Sequence, residues 1–121
     1  MSTIATSDFD YPAMRRALER VDPETLVGQL AEDIVYEQID QQSPPSAPRV
    51  IRGRAAMAEL ANWLQSSGVE MRLSDEVVGA ERIAWTTDCR FPDGRRVLGI
   101  TIAAISDGLI SHMREVQVVD R

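Results

Sequence analysis

Apolar positions recur with the period of a helix in the first half of the chain and with the period of a strand in the second. Met14, Ala17, Leu18 and Val21 stand at i, i+3, i+4 and i+7, which predicts one buried helical stripe. That helix starts at Pro12, behind Asp10 or Tyr11; proline fits a first turn because the N–H it lacks would be unpaired there. Asp22-Pro23-Glu24 repeats the start signal, with a capping carboxylate, a proline and an acid. The second helix should turn Leu26, Val27, Leu30 and Ala31 inward and end near Glu32-Asp33. Ile34-Val35-Tyr36-Glu37-Gln38-Ile39 is short and β-branched, the profile of a strand. Residues 40–52 hold three prolines and a serine pair without periodicity, so they are expected to form a loop. A loop of about a dozen residues is long enough to rim or cover a pocket, and equally consistent with disorder. A third helix follows Gly53, carries Met57, Leu60, Ala61 and Leu64 on one face, and stops at Gly68.

From Val69 the period is two. Val69, Met71 and Leu73 alternate with polar residues, as do Ile83, Trp85, Thr87 and Cys89. Pro92-Asp93-Gly94 and Ser106-Asp107-Gly108 read as hairpin turns, flanking strands Arg95–Ile105 and Leu109–Val119. Three helices and one early strand, then a four-strand meander, is an α+β plan. No repeat or linker divides it, so residues 1–121 read as one domain with a polar, flexible 1–10 segment.

Composition narrows the function. Lys and Arg number 13 against 19 Asp and Glu, a net charge of −6 that repels phosphate, so nucleic acid is not the expected partner. The longest apolar stretch, Val97 to Ile105, is too short to span a bilayer, and the N-terminus has no basic start or apolar signal region. Cys89 is the only cysteine and His112 the only histidine, which argues against disulfides and against cysteine- or histidine-rich metal sites. The expectation is a cytoplasmic protein without a metal or cofactor.

The stretches Leu30-Ala31-Glu32-Asp33-Ile34-Val35-Tyr36-Glu37, Ile51-Arg52-Gly53-Arg54-Ala55-Ala56-Met57, Pro92-Asp93-Gly94-Arg95-Arg96-Val97 and Asp107-Gly108-Leu109-Ile110, with Arg114-Glu115, resemble the nuclear transport factor 2-like superfamily. More narrowly they resemble its SnoaL-like branch, which includes polyketide cyclases, ketosteroid isomerases and limonene epoxide hydrolases. The resemblance runs over about residues 12–119. It implies a cone-shaped, strongly curved, mostly antiparallel sheet around a long helix, a pocket inside the cone, and frequent homodimers.

The register implied by the resemblance turns Tyr36, Gln38, Trp85, Thr87, Cys89, Val97, Gly99, Thr101, Ala103, Met113, Glu115 and Gln117 into the cone. Glu115 is the one carboxylate of this set; burial would raise its pKa and make it a general acid or base. Its place is that of a catalytic aspartate of limonene epoxide hydrolases, while Tyr36 and Gln38 stand where those enzymes hold the attacking water. The arginine and second aspartate of that family are Thr87 and Cys89 here. The general base and the oxyanion tyrosine of ketosteroid isomerases fall on Gln38 and Met14, which cannot do those tasks, so that reaction is excluded.

Candidate catalytic residues are therefore Glu115, Tyr36 and Gln38. Candidate substrate contacts are Trp85, Thr87, Cys89, Thr101, Met113, Gln117 and Met14. Plainer readings stand beside these. Glu115 could pair with Arg114 or face solvent, Tyr36 and Trp85 could be core aromatics, and Cys89 a small buried hydrophobe. His112 should face outward, and Asp8, Asp10 and Asp40 read as solvated charges. On the opposite sheet face Ile100, Ile102, Ala104, Val116 and Val118 form an apolar area that a homodimer would cover. Three functions remain open: an acid–base enzyme (cyclase, isomerase, dehydratase or epoxide-hydrolase type) acting on an apolar small molecule, a non-catalytic small-molecule-binding domain, and a protein–protein adaptor.

Overall fold

Asp10 starts the first helix. Its side chain accepts a hydrogen bond from Ala13 N at 3.0 Å, and α1 runs Tyr11–Arg20. The structure, a computed structural model, describes residues 9–120. Within them Phe9 is buried in the core and Asp10 is a helix cap, so the expected loose 1–10 segment is ordered at its end; residues 1–8, Asp8 among them, lie outside the described residues. Val21 closes α1 in the left-handed region (φ 50°), and Asp22 caps α2 (Pro23–Gly28) by accepting from Thr25 N and Thr25 Oγ1.

The helix expected to continue to Glu32-Asp33 stops at Gly28. Leu30 and Ala31 instead open β1 (Leu30–Ile39). The reason is tertiary. Ile110 N donates to Gln29 O at 2.9 Å, and Leu30 pairs with Ile110, so the chain joins the sheet as soon as a glycine weakens the helix.

The 40–52 segment is also more ordered than expected. β2 (Arg49–Arg52) pairs antiparallel with β1 from Val35↔Arg52 to Gln38↔Arg49, leaving only 40–48 as the connection. β2 lies at one edge of the sheet, where Pro48 just before it removes no ladder bond. α3 (Arg54–Ser67) follows, its start tied to β1 by the Arg54 guanidinium, which donates to Leu30 O. Gly68 ends it at φ +74°.

β3 (Glu70–Val78), β4 (Arg82–Arg90), β5 (Arg96–Ser106) and β6 (Leu109–Asp120) form the expected meander. The six-stranded sheet has the order β2-β1-β6-β5-β4-β3, with β1–β6 parallel and all other neighbours antiparallel. It is open, with β2 and β3 as edges. Its concave side holds three helices, none longer than the 14 residues of α3, in place of one long helix.

Strict alternation fails at one place that matters. Ala104 pairs with His112 but Ile105 pairs with Ile110, so Ser111 is an extra residue in β6. This bulge changes the phase, and Ile110 and Met113 both point into the core. On the convex side Leu98, Ile100, Ile102, Val116 and Val118 remain 45–57% exposed. No helix among the described residues is long and apolar enough to cross a membrane.

Candidate active site

Strand pairing sets Gln38, Glu115, Thr101 and Trp85 in one row across β1, β6, β5 and β4, on the concave face. The neighbouring row holds Tyr36 and Met113. Above them lies a cavity of about 100 Å³. α1 and α2 line it with Met14, Leu18 and Leu26, and α3 with Met57, Leu60, Ala61 and Leu64. The sheet contributes Leu30, Tyr36, Met71, Trp85, Thr87, Thr101, Ile110, Met113 and Glu115. The lining is therefore apolar except at one end, where a carboxyl, a phenol and two hydroxyls converge. Thr87 and Thr101 are each 3% exposed, and their hydroxyls make no hydrogen bond to another described residue.

Glu115 keeps some residue exposure, but its carboxyl group is enclosed. Oε1 accepts a hydrogen bond from the Tyr36 hydroxyl, and Oε2 lies over the backbone of Gly99. A Cβ at residue 99 would overlap Oε2 and stand 3.1 Å from the carboxyl carbon, so only glycine leaves the acid this position. Burial raises the Glu115 pKa above the ordinary carboxylate range, with the hydrogen bond of Tyr36 and the nearby Gln117 amide pulling the other way. Burial and the adjacent Glu115 push the Tyr36 phenol well up, so it remains a neutral hydroxyl.

The chain of contacts continues past Tyr36. Its hydroxyl is 3.2 Å from Gln38 Oε1, and Gln38 Nε2 donates to Asp40 Oδ2 at 2.9 Å. Asp40, read from sequence as a solvated charge, thus belongs to the site's hydrogen-bond system. Its other oxygen accepts from Gln42 N and Ser43 N, which shapes the β1–β2 turn. The signal was present in sequence: residues 36, 38 and 40 share one face of an extended strand. Gly99 stood in the inward set but had no role there; a glycine inside an apolar strand is the mark of a close approach.

Met14, Trp85, Thr87, Thr101 and Met113 line the cavity with the three candidate catalytic residues Glu115, Tyr36 and Gln38 at or beside its polar end. Gln117, two residues along the same strand, lowers the Glu115 pKa without lining the cavity. Cys89 also lies outside the lining, and its thiol is pushed up to about 12 by burial and by Glu115, so it is no nucleophile. Arg114 does not pair with Glu115; it faces outward with His112, and both approach Glu37, at 3.6 and 2.7 Å. Among the described residues no cluster of three or more His, Cys, Asp or Glu side chains is placed to hold a metal ion.

Comparisons with known proteins agree with this architecture. The fold is similar to an NTF2-like protein of unknown function from Mesorhizobium loti (23% identity, TM-score 0.71, covering 92% of this chain and 90% of that one). It is similar to an LEH-like epoxide hydrolase from M. tuberculosis (21%, TM-score 0.68, 91% and 79%). A third similar structure is SalBIII, an epoxide hydrolase/cyclase-like enzyme in pyran ring formation in the polyether salinomycin (19%, TM-score 0.70, 88% and 86%). At these identities the likeness carries the fold and not the reaction. No curated protein matches the chain. A family model for the SnoaL-like domain matches residues 12–113, and the chain belongs to that family, on an NTF2-like fold.

Proposed function

We propose that this protein is a cofactor-independent enzyme that moves a proton on an apolar small molecule bound in the cone. Glu115 is the proton-transferring group, and Tyr36 and Gln38 hold the reacting oxygen or a water. The observation that carries this reading is a single enclosed carboxyl, hydrogen-bonded to a phenol, at the polar end of an otherwise apolar cavity. A carboxyl with a raised pKa is populated in both protonation states nearer neutrality, which suits acid–base work.

The number of ionisable groups narrows the reaction. With Thr87 and Cys89 at the positions of the arginine and the second acid, one carboxyl must serve both halves of the proton traffic. That suits an internal rearrangement, isomerisation or cyclisation, in which Glu115 takes a proton from one substrate atom and returns it to another. Thr87 and Thr101 are free to hold a substrate oxygen. At about 100 Å³ the cavity is smaller than the ~150 Å³ engineered cavity that admits benzene. The walls can yield, however, since Met14, Met57, Met71 and Met113 all line it and methionine repacks readily.

The test has two steps. Native mass spectrometry of the purified protein identifies any co-purified ligand, and a panel of small epoxides, enones and hydroxyketones is screened for turnover. Glu115→Gln should reduce kcat by about a hundredfold or more while leaving ligand binding within about threefold. A fully active variant would remove the mechanism. The lack of a second carboxyl in the lining favours one other reading, a binding domain without turnover; it predicts equal affinity in both proteins and no reaction in either.

A further inference from the structure

The hydrogen bonds that join Glu115 to the β1–β2 turn have a direction. Tyr36 owns a single hydroxyl proton, yet it has two acceptors beside it when Glu115 is ionised, Glu115 Oε1 and Gln38 Oε1. Only one can receive it. When Glu115 carries its own proton the conflict disappears, because Glu115 donates to the Tyr36 oxygen and Tyr36 donates to Gln38.

The far end of the chain decides which way Gln38 faces. Asp40 Oδ1 accepts from Gln42 N and Ser43 N at 2.9 and 2.8 Å, so its carboxylate is fixed by the turn. The Gln38 amide and these two N–H groups hold the Asp40 carboxyl below the ordinary carboxylate range, so it only accepts. Gln38 must then turn its nitrogen to Asp40, at 2.9 Å, and its oxygen to Tyr36.

We propose that Asp40 is a positioning residue for Glu115. By orienting the Gln38 amide it draws the Tyr36 proton away from Glu115, presents a lone pair to it instead, and so keeps Glu115 in its acid form. The inference rests on reading Glu115 as the proton-moving group and names what sets its resting protonation state. Burial also favours the acid form, but among the described residues no other polar group around the carboxyl turns a lone pair toward it. The helices present apolar side chains such as Met14, Leu18, Leu26 and Leu60. β4 presents Cys89 as a thiol, β5 Thr101, β6 Gln117, and β2 places Arg49 near Tyr36.

The experiment is a carbon-13 NMR titration of the Glu115 side-chain carboxyl in the intact chain, assigned with Glu115→Gln. In Asp40→Asn the retained oxygen still accepts from the turn, while the new amide nitrogen faces Gln38 and reverses its amide. Tyr36 must then donate to Glu115, and the titration midpoint should fall by about one pH unit, the worth of one neutral hydrogen bond. Removing the Asp40 charge acts in the same direction, so the substitution is repeated in a Gln38→Met background. Gln38→Met alone should lower the midpoint, since it deletes the competing acceptor, and Asp40→Asn should add little to it. An unchanged midpoint in Gln38→Met, or an equal effect of Asp40→Asn in both backgrounds, overturns the proposal. The readout needs no substrate. An active Glu115→Gln enzyme would therefore defeat the catalytic reading alone, and an unmoved titration the positioning role alone.

Discussion

Glu115 couples the chemistry of the site to the stability of the fold. Its carboxyl is more easily protonated in the folded chain than in the unfolded one, because burial penalises the charge. Below the unfolded pKa both states are protonated and the group is neutral in its effect. As pH rises from the unfolded pKa toward the higher folded one, the unfolded chain releases its proton first, so stability falls across that window and is level above it. Glu115→Gln keeps the shape and removes the titration. Thermal melts from about pH 4 to about pH 8 should show wild type and variant alike at the acid end and the variant more stable at neutral pH. A difference independent of pH would mean that the carboxyl is solvated in the folded chain. At this scale the inward set was legible because alternation in β4, β5 and β6 is regular between bulges. Asp40 shares the strand face of Tyr36 and Gln38 in the sequence, but a carboxylate just past a strand end reads as a solvated charge until its hydrogen-bond partners are known.

At the level of elements, the sheet accommodates its acid through a missing side chain. β5 contributes Gly99 opposite Gln117, and the resulting gap receives Oε2 of Glu115 from β6. Gly99→Ala would cost the strand little, since alanine has the better intrinsic preference and Gly99 does not need a positive φ. It must displace the carboxyl, however. The expected result is a melting temperature within a few degrees of wild type together with a roughly hundredfold loss of turnover on the substrate identified for the enzyme. An Ala variant of unchanged activity would show that the carboxyl's place over residue 99 has no part in the chemistry. Elements were readable wherever local signals agreed with tertiary demands. Asp10 and Asp22 cap their helices, Gly68 ends the third, and Asp107-Gly108, with φ of 52° and 75°, makes the tight turn its sequence calls for. The exceptions have a common cause. Leu30 and Ala31 continue the helical phase of α2, and Arg49–Arg52 is too short and too exposed to show alternation, so pairing partners far along the chain decide both.

On the scale of the molecule, the sheet's convex face bears on assembly. Ile100 and Val116 are cross-strand partners at its centre, with Leu98, Ile102 and Val118 around them, all about half exposed. An apolar surface of five large side chains is costly to leave in water. Several charges at its margins are already matched within the chain, Arg96 with Asp88 at one end and His112 and Arg114 with Glu37 at the other. The centre of the face is apolar, so a partner is not required to bring opposite charge there, and the same face of a second copy satisfies it. We propose a homodimer related by a two-fold axis through this face. Sedimentation equilibrium at micromolar concentration should give twice the chain mass, and Ile100→Lys, which puts a charge at the centre of the contact, should give the chain mass with the fold and the Glu115 titration unchanged. A monomer in the unsubstituted protein would end the proposal. Because odd-numbered residues of β6 between 113 and 119 face the cone and even ones face outward, the acid and the dimer surface alternate along a single strand. A dimer that clamps Val116 and Val118 also restrains the backbone on either side of Glu115 and Gln117, so association should slow hydrogen exchange at these amides. The Ile100→Lys monomer, with its concave face intact, should exchange them faster.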